Sequence, residues 1–180
     1  MKKIFLVFFI FGSLVYGYHY DNLLLKAQAS IFPKIMLLDK KLENKLVDGK
    51  IVYTIVYGKN DYQTALNINS FIDENHKGHF DKYDYRVDLV EFTDLSQETQ
   101  ASAIYALNSN QYIEKVAEIA KKKGIIAFAY DISNLKNGFL FSLMLEKSAV
   151  LYLNKENLYP KKIDFVESLF QIVRFLNTNN

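Results

Sequence analysis

The sequence predicts a single α/β domain, an about six-stranded, mostly mixed sheet flanked by helices, with a C-terminal β-hairpin followed by a final helix. Three observations carry this reading. Runs of strand length, "KIVYTIVY" over residues 50–57, rich in β-branched and aromatic residues, and the apolar "IIAFAY" over residues 125–130, alternate with longer segments of helical spacing. The second run is apolar at every position, the pattern of a central strand covered on both faces. Two prolines and seven scattered glycines leave no linker at which to divide the chain.

The elements follow in order. Asp21 and Asn22 cap a helix whose stripe is Leu24, Ala27, Gln28, Ile31 and Ile35, and Pro33 should end or kink it near Phe32. Residues 50–57 are the first strand. Asn60 and Gln63 have the spacing of a capping box opening a helix to about Asn75, with Tyr62, Leu66, Ile68 and Ile72 facing in. Residues 83–92 alternate as a strand until Val90 and Phe92 break the phase, which implies a bulge or burial on both faces. A short strand over residues 101–107 precedes a helix striped by Tyr112, Val116, Ile119 and Ala120 and stopped at Gly124. Residues 139–145 and 149–153 form the hairpin. Residues 164–176 read as the last helix.

The N-terminus suggests export. Lys2 and Lys3 lead an apolar run over residues 4–15, and the residues before Tyr18 place a cleavage between Gly17 and Tyr18. Residues 1–17 are thus expected to be a signal peptide and residues 18–180 the domain, periplasmic in an exporting bacterium. The run is shorter than the roughly 20 residues of a membrane span. An uncleaved anchor, with Tyr16, Tyr18 and Tyr20 as interfacial aromatics, is the rival reading.

Lys2 and Lys3 account for the excess of the 22 Lys and Arg over the 20 Asp and Glu. The remaining surface is neutral, so no nucleic-acid partner is expected. With no cysteine, the fold must rest on its core, which 13 Tyr and 14 Phe enrich in rings.

The sequence offers little catalytic chemistry. No glycine-rich phosphate loop or G-x-S-x-G elbow is present. His76 and His79 are the candidate metal pair, near Asp73, Glu74 and Asp81, but the segment reads as a polar loop after a helix, and no cofactor is expected. Asp84, Asp88, Glu91 and Asp94 flank Arg86, the pattern of a solvated charge row. Asp131 stands where α/β proteins place reactive carboxylates. Ser133, Asn134, Asn137 and Gly138 follow it, which is turn chemistry, and no catalytic partner accompanies it. No catalytic residue is therefore assigned. The last segment is apolar over more than one face, making Phe165, Phe170, Val173 and Arg174 candidate contacts for a homodimer or partner.

"IIAFAYDIS", then "NGFLFSLMLEKSAVLYLN", then "IDFVESLFQIVRFL" resembles the C-terminal signature of the YfiR/HmsC-like periplasmic regulatory protein family. The signature places are held by Asp131, Gly138, Leu153-Asn154 and Leu169-Phe170, and Phe32-Pro33 resembles the aromatic-Pro end of the family's first helix. The likeness runs over residues 22–176. It implies a non-enzymatic, dimerising periplasmic domain that represses an inner-membrane diguanylate cyclase, and so cyclic-di-GMP production, by protein contact. A sensor kinase is the alternative membrane partner. Redox control through disulfides is not implied, because the chain has no cysteine. Asn137 replaces a second glycine, and residues 148–150 lack a usual basic residue, so partner-contacting residues are not carried over. The alternative function is a periplasmic solute-binding or sensory domain serving a transporter or histidine kinase, with its pocket near Asp131 and the end of the 50–57 strand.

Overall fold

A computed structural model describes residues 18–161 and 163–176. The expected signal segment, Gly17 included, lies outside them. Among the described residues, no helix is long and apolar enough to cross a membrane.

Strands β1 (Ile51–Tyr57), β2 (His79–Phe80), β3 (Tyr83–Glu91), β4 (Ala103–Ala106), β5 (Ile126–Ala129), β6 (Phe141–Leu145), β7 (Ala149–Leu153) and β8 (Val173–Phe175) form one mixed sheet. Its order is β2-β3-β1-β4-β5-β6-β7-β8. β3, β1, β4, β5 and β6 run parallel; β2 and β7 pair antiparallel to β3 and β6, and β8 lies parallel to β7. The class is the one the sequence predicts, with two more strands, both short and at the edges.

Helices α1 (Asn22–Met36) and α2 (Tyr62–His76) cover one face, burying Leu25, Phe32, Ile68 and Ile72 against Tyr53, Ile55, Tyr105 and Phe128. Helix α3 (Ile113–Lys123) covers the other, setting Val116 and Ala120 on Ile104, Ala106, Ala127 and Ala129. The alternation of β4 and β5 explains the two layers: Tyr105 and Phe128 fill one side, and alanines let α3 approach on the other. β3 needs no bulge, because its register with β1 is unbroken from Tyr85 to Glu91. The phase change there is burial on both faces, Val87 and Leu89 on one and Val90 and Phe92 on the other.

Two terminal expectations are corrected. Helix α1 does not stop at Phe32 but continues through Pro33 to Met36. Pro33 has no N–H, so the Ala29 carbonyl four residues earlier loses its helical donor. His76, in the last turn of α2, places Nε2 3.2 Å from that oxygen and restores a donor. Nor is the final segment one helix. It holds a β-bridge at Phe165, a single turn of helix α5 (Leu169–Ile172) and strand β8, while a further turn, α4 (Leu158–Lys161), precedes it. The β-branched Val173 and the aromatic Phe175 favour extension where β7 offers an open edge.

Burial holds the His76 imidazole below its ordinary pKa of 6.5, opposed by the Ala29 hydrogen bond and assisted by Lys34. A depressed histidine contributes stability that is complete above about pH 6.5 and is lost as pH falls towards the folded-state value. His76→Gln keeps an amide donor without the titration. In urea titrations the wild type should therefore lose stability relative to this variant between about pH 7 and pH 5.

Candidate functional site

The crossovers determine where a ligand could sit. From β1 the chain passes through α2 on one face to β3, and from β4 it passes through α3 on the opposite face to β5. The winding therefore reverses between β1 and β4. The loops leaving their C-terminal ends diverge, and such a switch point leaves a crevice.

A cavity of about 370 Å³ opens there. Its walls are the turn after β1 (Gly58 to Asp61), the end of β3 (Glu91 to Thr93), the segment between β4 and α3 (Asn108 to Tyr112), and Tyr18. The rings of Phe92 and Tyr112 stack at 5.8 Å with 13° between their planes, and Tyr57 lies 5.6 Å from Tyr62. Tyr18 donates its hydroxyl to Asn110 Oδ1 at 2.6 Å.

The charged centre of the crevice is Asp61. It is only 7% exposed, although it borders the cavity. Tyr20 holds it: the Tyr20 hydroxyl donates to Asp61 Oδ2 at 3.1 Å and accepts the Asn108 N–H at 3.2 Å, tying the two diverging loops together. The ring of Tyr20 stands edge-on to Tyr130 at 4.8 Å. Burial raises the Asp61 pKa above its usual value, and hydrogen bonds from Tyr20 and the Gly58 backbone oppose the rise. The Tyr20 phenol is pushed up by burial first and by the Asp61 charge second, and the Tyr57 phenol by burial and then by Glu91. A side chain at Gly58 would place its Cβ 3.1 Å from Asp61 Oδ2, so glycine there leaves room for the carboxylate.

These groups offer recognition: aromatic faces, amides and a buried carboxylate. Ser109 is committed elsewhere, since its hydroxyl accepts the N–H groups of Gln111 and Tyr112 ahead of α3.

The end of β1 lies in the crevice as expected, whereas Asp131 is absent from its walls. Asp131 accepts the Ser133 N–H at 2.8 Å and caps a short helical loop over Ile132–Asn137. Gly138 closes that loop at φ 102°, with a position for a Cβ only 3.0 Å from the Ala117 methyl. Asn154, buried, donates to the Leu135 carbonyl at 3.0 Å, and Asn157 reaches the same oxygen at 2.9 Å. The three signature residues thus build one loop beside the site. Gly138→Ala combines a left-handed backbone with a close contact, and a loss of about 1–3 kcal/mol in chemical denaturation is expected.

The histidines have separate partners. His76 serves Ala29, and exposed His79 sets Nδ1 2.9 Å from Asp84 Oδ1. Among the described residues, no group of three or more His, Cys, Asp and Glu is placed to hold a metal. Of the candidate contacts, Phe165 is buried edge-on to Phe141 at 5.4 Å, and Phe170 stacks on Phe175. Val173 and Arg174 lie on β8, where Arg174 donates to Glu146 Oε1 at 2.8 Å and to the Tyr152 hydroxyl at 2.7 Å.

Sequence reasoning missed Tyr20, Asp61, Asn108 and Tyr112 as one site. The legible signal was Gly58 directly after a strand rich in β-branched and aromatic residues, followed by Lys-Asn-Asp. Asn60 and Gln63 instead suggested a capping box, which does not form: α2 has no side-chain N-cap bond.

Neither a family model nor a curated protein sequence matches the chain. Solved structures do share its fold. A conserved domain protein from Vibrio cholerae is similar with a TM-score of 0.58 at 15% identity, over 85% of this chain and 60% of that one. The ABC domain from Streptococcus pneumoniae, solved in complex with L-Trp, is similar with a TM-score of 0.50 at 10% identity, over 79% of this chain and 62% of that one. This chain therefore spans about 60% of the length of either neighbour.

Proposed function

We propose that this chain is a small-solute-binding domain of the sensory kind, with the crevice between the ends of β1 and β4 as its site. The observation that carries the reading is the coincidence of the topological switch point with a ring-lined cavity containing one buried carboxylate. About 370 Å³ suits a ligand at the small end of the range such pockets take. The complex of the Streptococcus pneumoniae domain with L-Trp supports an amino-acid-sized ligand for this fold. The signal-like residues 1–17 support export to the periplasm.

A thermal-shift screen of amino acids, amines and other small solutes tests the reading. A ligand present at a hundred times its Kd adds about 2.7 kcal/mol to stability. At least one compound should raise the melting temperature, and Thr93→Trp, which fills the exposed rim, should abolish that rise. A screen without a hit contradicts the reading.

A second reading is favoured by one further observation. Tyr159, Ile172 and Phe175 are 81%, 62% and 40% exposed, and the last two flank or form the open β8 edge. Exposed apolar side chains beside an unpaired edge suit a protein partner. Repression of a membrane diguanylate cyclase through this edge predicts that deleting the protein raises cyclic-di-GMP; an unchanged level counts against it.

A further inference from the structure

We infer that the crevice selects organic cations, seating an ammonium group against Asp61 beneath the rings of Tyr57, Phe92 and Tyr112. The inference rests on the solute-binding reading and adds the charge of the ligand.

The charges facing the crevice are unequal in position. Asp61 and Glu91 line it with Lys59, and Lys115 stands nearby with Nζ 3.4 Å from the Phe92 carbonyl. Lys59 and Lys115 are exposed and Glu91 is half-buried, whereas Asp61 is almost fully enclosed. A charge removed from water acts more strongly on its neighbours than one in solvent. The field inside the crevice is therefore set by the acid.

Among the described residues, Asp61 has no ion-pair partner, and neither has Glu91. The partners of the Asp61 carboxylate are the neutral Tyr20 hydroxyl and the Gly58 backbone. A carboxylate has about four acceptor sites, so these donors leave capacity. A buried carboxylate without a cation is costly, and a ligand that brings the cation removes much of that cost. An anion would meet the same carboxylate as a like charge.

The walls supply the second part of a cation site. Stacked Phe92 and Tyr112, with Tyr57 and Tyr18, line the same cavity as the acid. Aromatic faces attract ammonium groups through the ring quadrupole, and more so when the pair is shielded from water. A carboxylate and aromatic side chains lining one cavity are chemistry for a primary or quaternary amine.

Calorimetry at pH 7 with tryptamine, L-tryptophan and indole-3-acetate tests this, because the three share one ring and differ in charge. Tryptamine should bind at least tenfold more tightly than L-tryptophan, and indole-3-acetate should give no heat. Asp61→Asn should remove the preference, and Glu91→Gln should weaken it in the same direction, which keeps the test valid if the first variant folds poorly. Indole-3-acetate binding as tightly as tryptamine, or a ranking unchanged in both variants, overturns the cation selectivity and leaves solute binding standing. No heat from tryptamine, choline or putrescine also overturns it. A neutral or anionic hit in the wider screen would then preserve the solute-binding reading alone, and no hit at all would overturn both.

Discussion

Gln28→Leu should destabilise the protein by about 3–5 kcal/mol, seen as a lower denaturation midpoint with a similar slope. Gln28 is fully buried on α1, and its amide is fully used. Nε2 donates to the carbonyls of Tyr130 at 3.0 Å and Leu143 at 3.3 Å, and Oε1 accepts the Tyr105 hydroxyl. One side chain thereby ties a helix to β4, the end of β5, and β6. The tie matters because β5 and β6 share a single register pair, Phe128 with Phe141. Leucine matches the volume but strands the Leu143 carbonyl and the Tyr105 phenol, each worth about 1–3 kcal/mol when buried unpaired, while the Tyr130 carbonyl keeps the Ser142 hydroxyl at 3.3 Å. Adding Tyr105→Phe removes one orphan and should recover about 1 kcal/mol.

The second large effect lies at the opposite end of β1 from the crevice. Asp39 and Lys45 form an ion pair whose side chains are 0% and 10% exposed. Asp39 also accepts the Lys41 N–H at 3.0 Å, and the Lys45 carbonyl accepts from Ser102, whose hydroxyl takes the Val52 N–H. Lys45→Met leaves an unpaired buried carboxylate and should cost about 3–5 kcal/mol. Asp39→Asn with Lys45→Met removes both charges and should be more stable than Lys45→Met alone, as double-mutant denaturation would show. Ligand binding should be the same in every variant that remains folded.

The parts that were legible in the sequence are those in which local pattern and tertiary setting agree. β5 is apolar at every position, and β1 at every position but Thr54, because both faces are covered, and Asp21, Gly124 and the 145–149 turn act where their chemistry places them. Gln28 occupied the inward stripe of α1, though nothing local showed how many partners it would serve. The last segment misled because Leu169, Phe170, Ile172, Val173 and Leu176 fit helical spacing, while the open edge of β7 draws Val173 to Phe175 into a strand. Pro33 misled for a similar reason: the Ala29 carbonyl that it deprives of a donor is satisfied by His76, 47 positions further along the chain. The crevice was hidden most completely. It exists because α2 and α3 lie on opposite faces, and no short stretch of sequence records the order in which strands join a sheet. Tyr20, Asp61 and Asn108 meet only once that order is fixed.

The most direct test of the central claim is a backbone amide NMR titration with the best ligand from the thermal screen. Binding at the switch point predicts that the largest shifts cluster at residues 57–61, 91–93 and 108–112, with Tyr20 among them. Shifts confined to β8 and the residues around Tyr159, with the crevice amides unmoved, would contradict it.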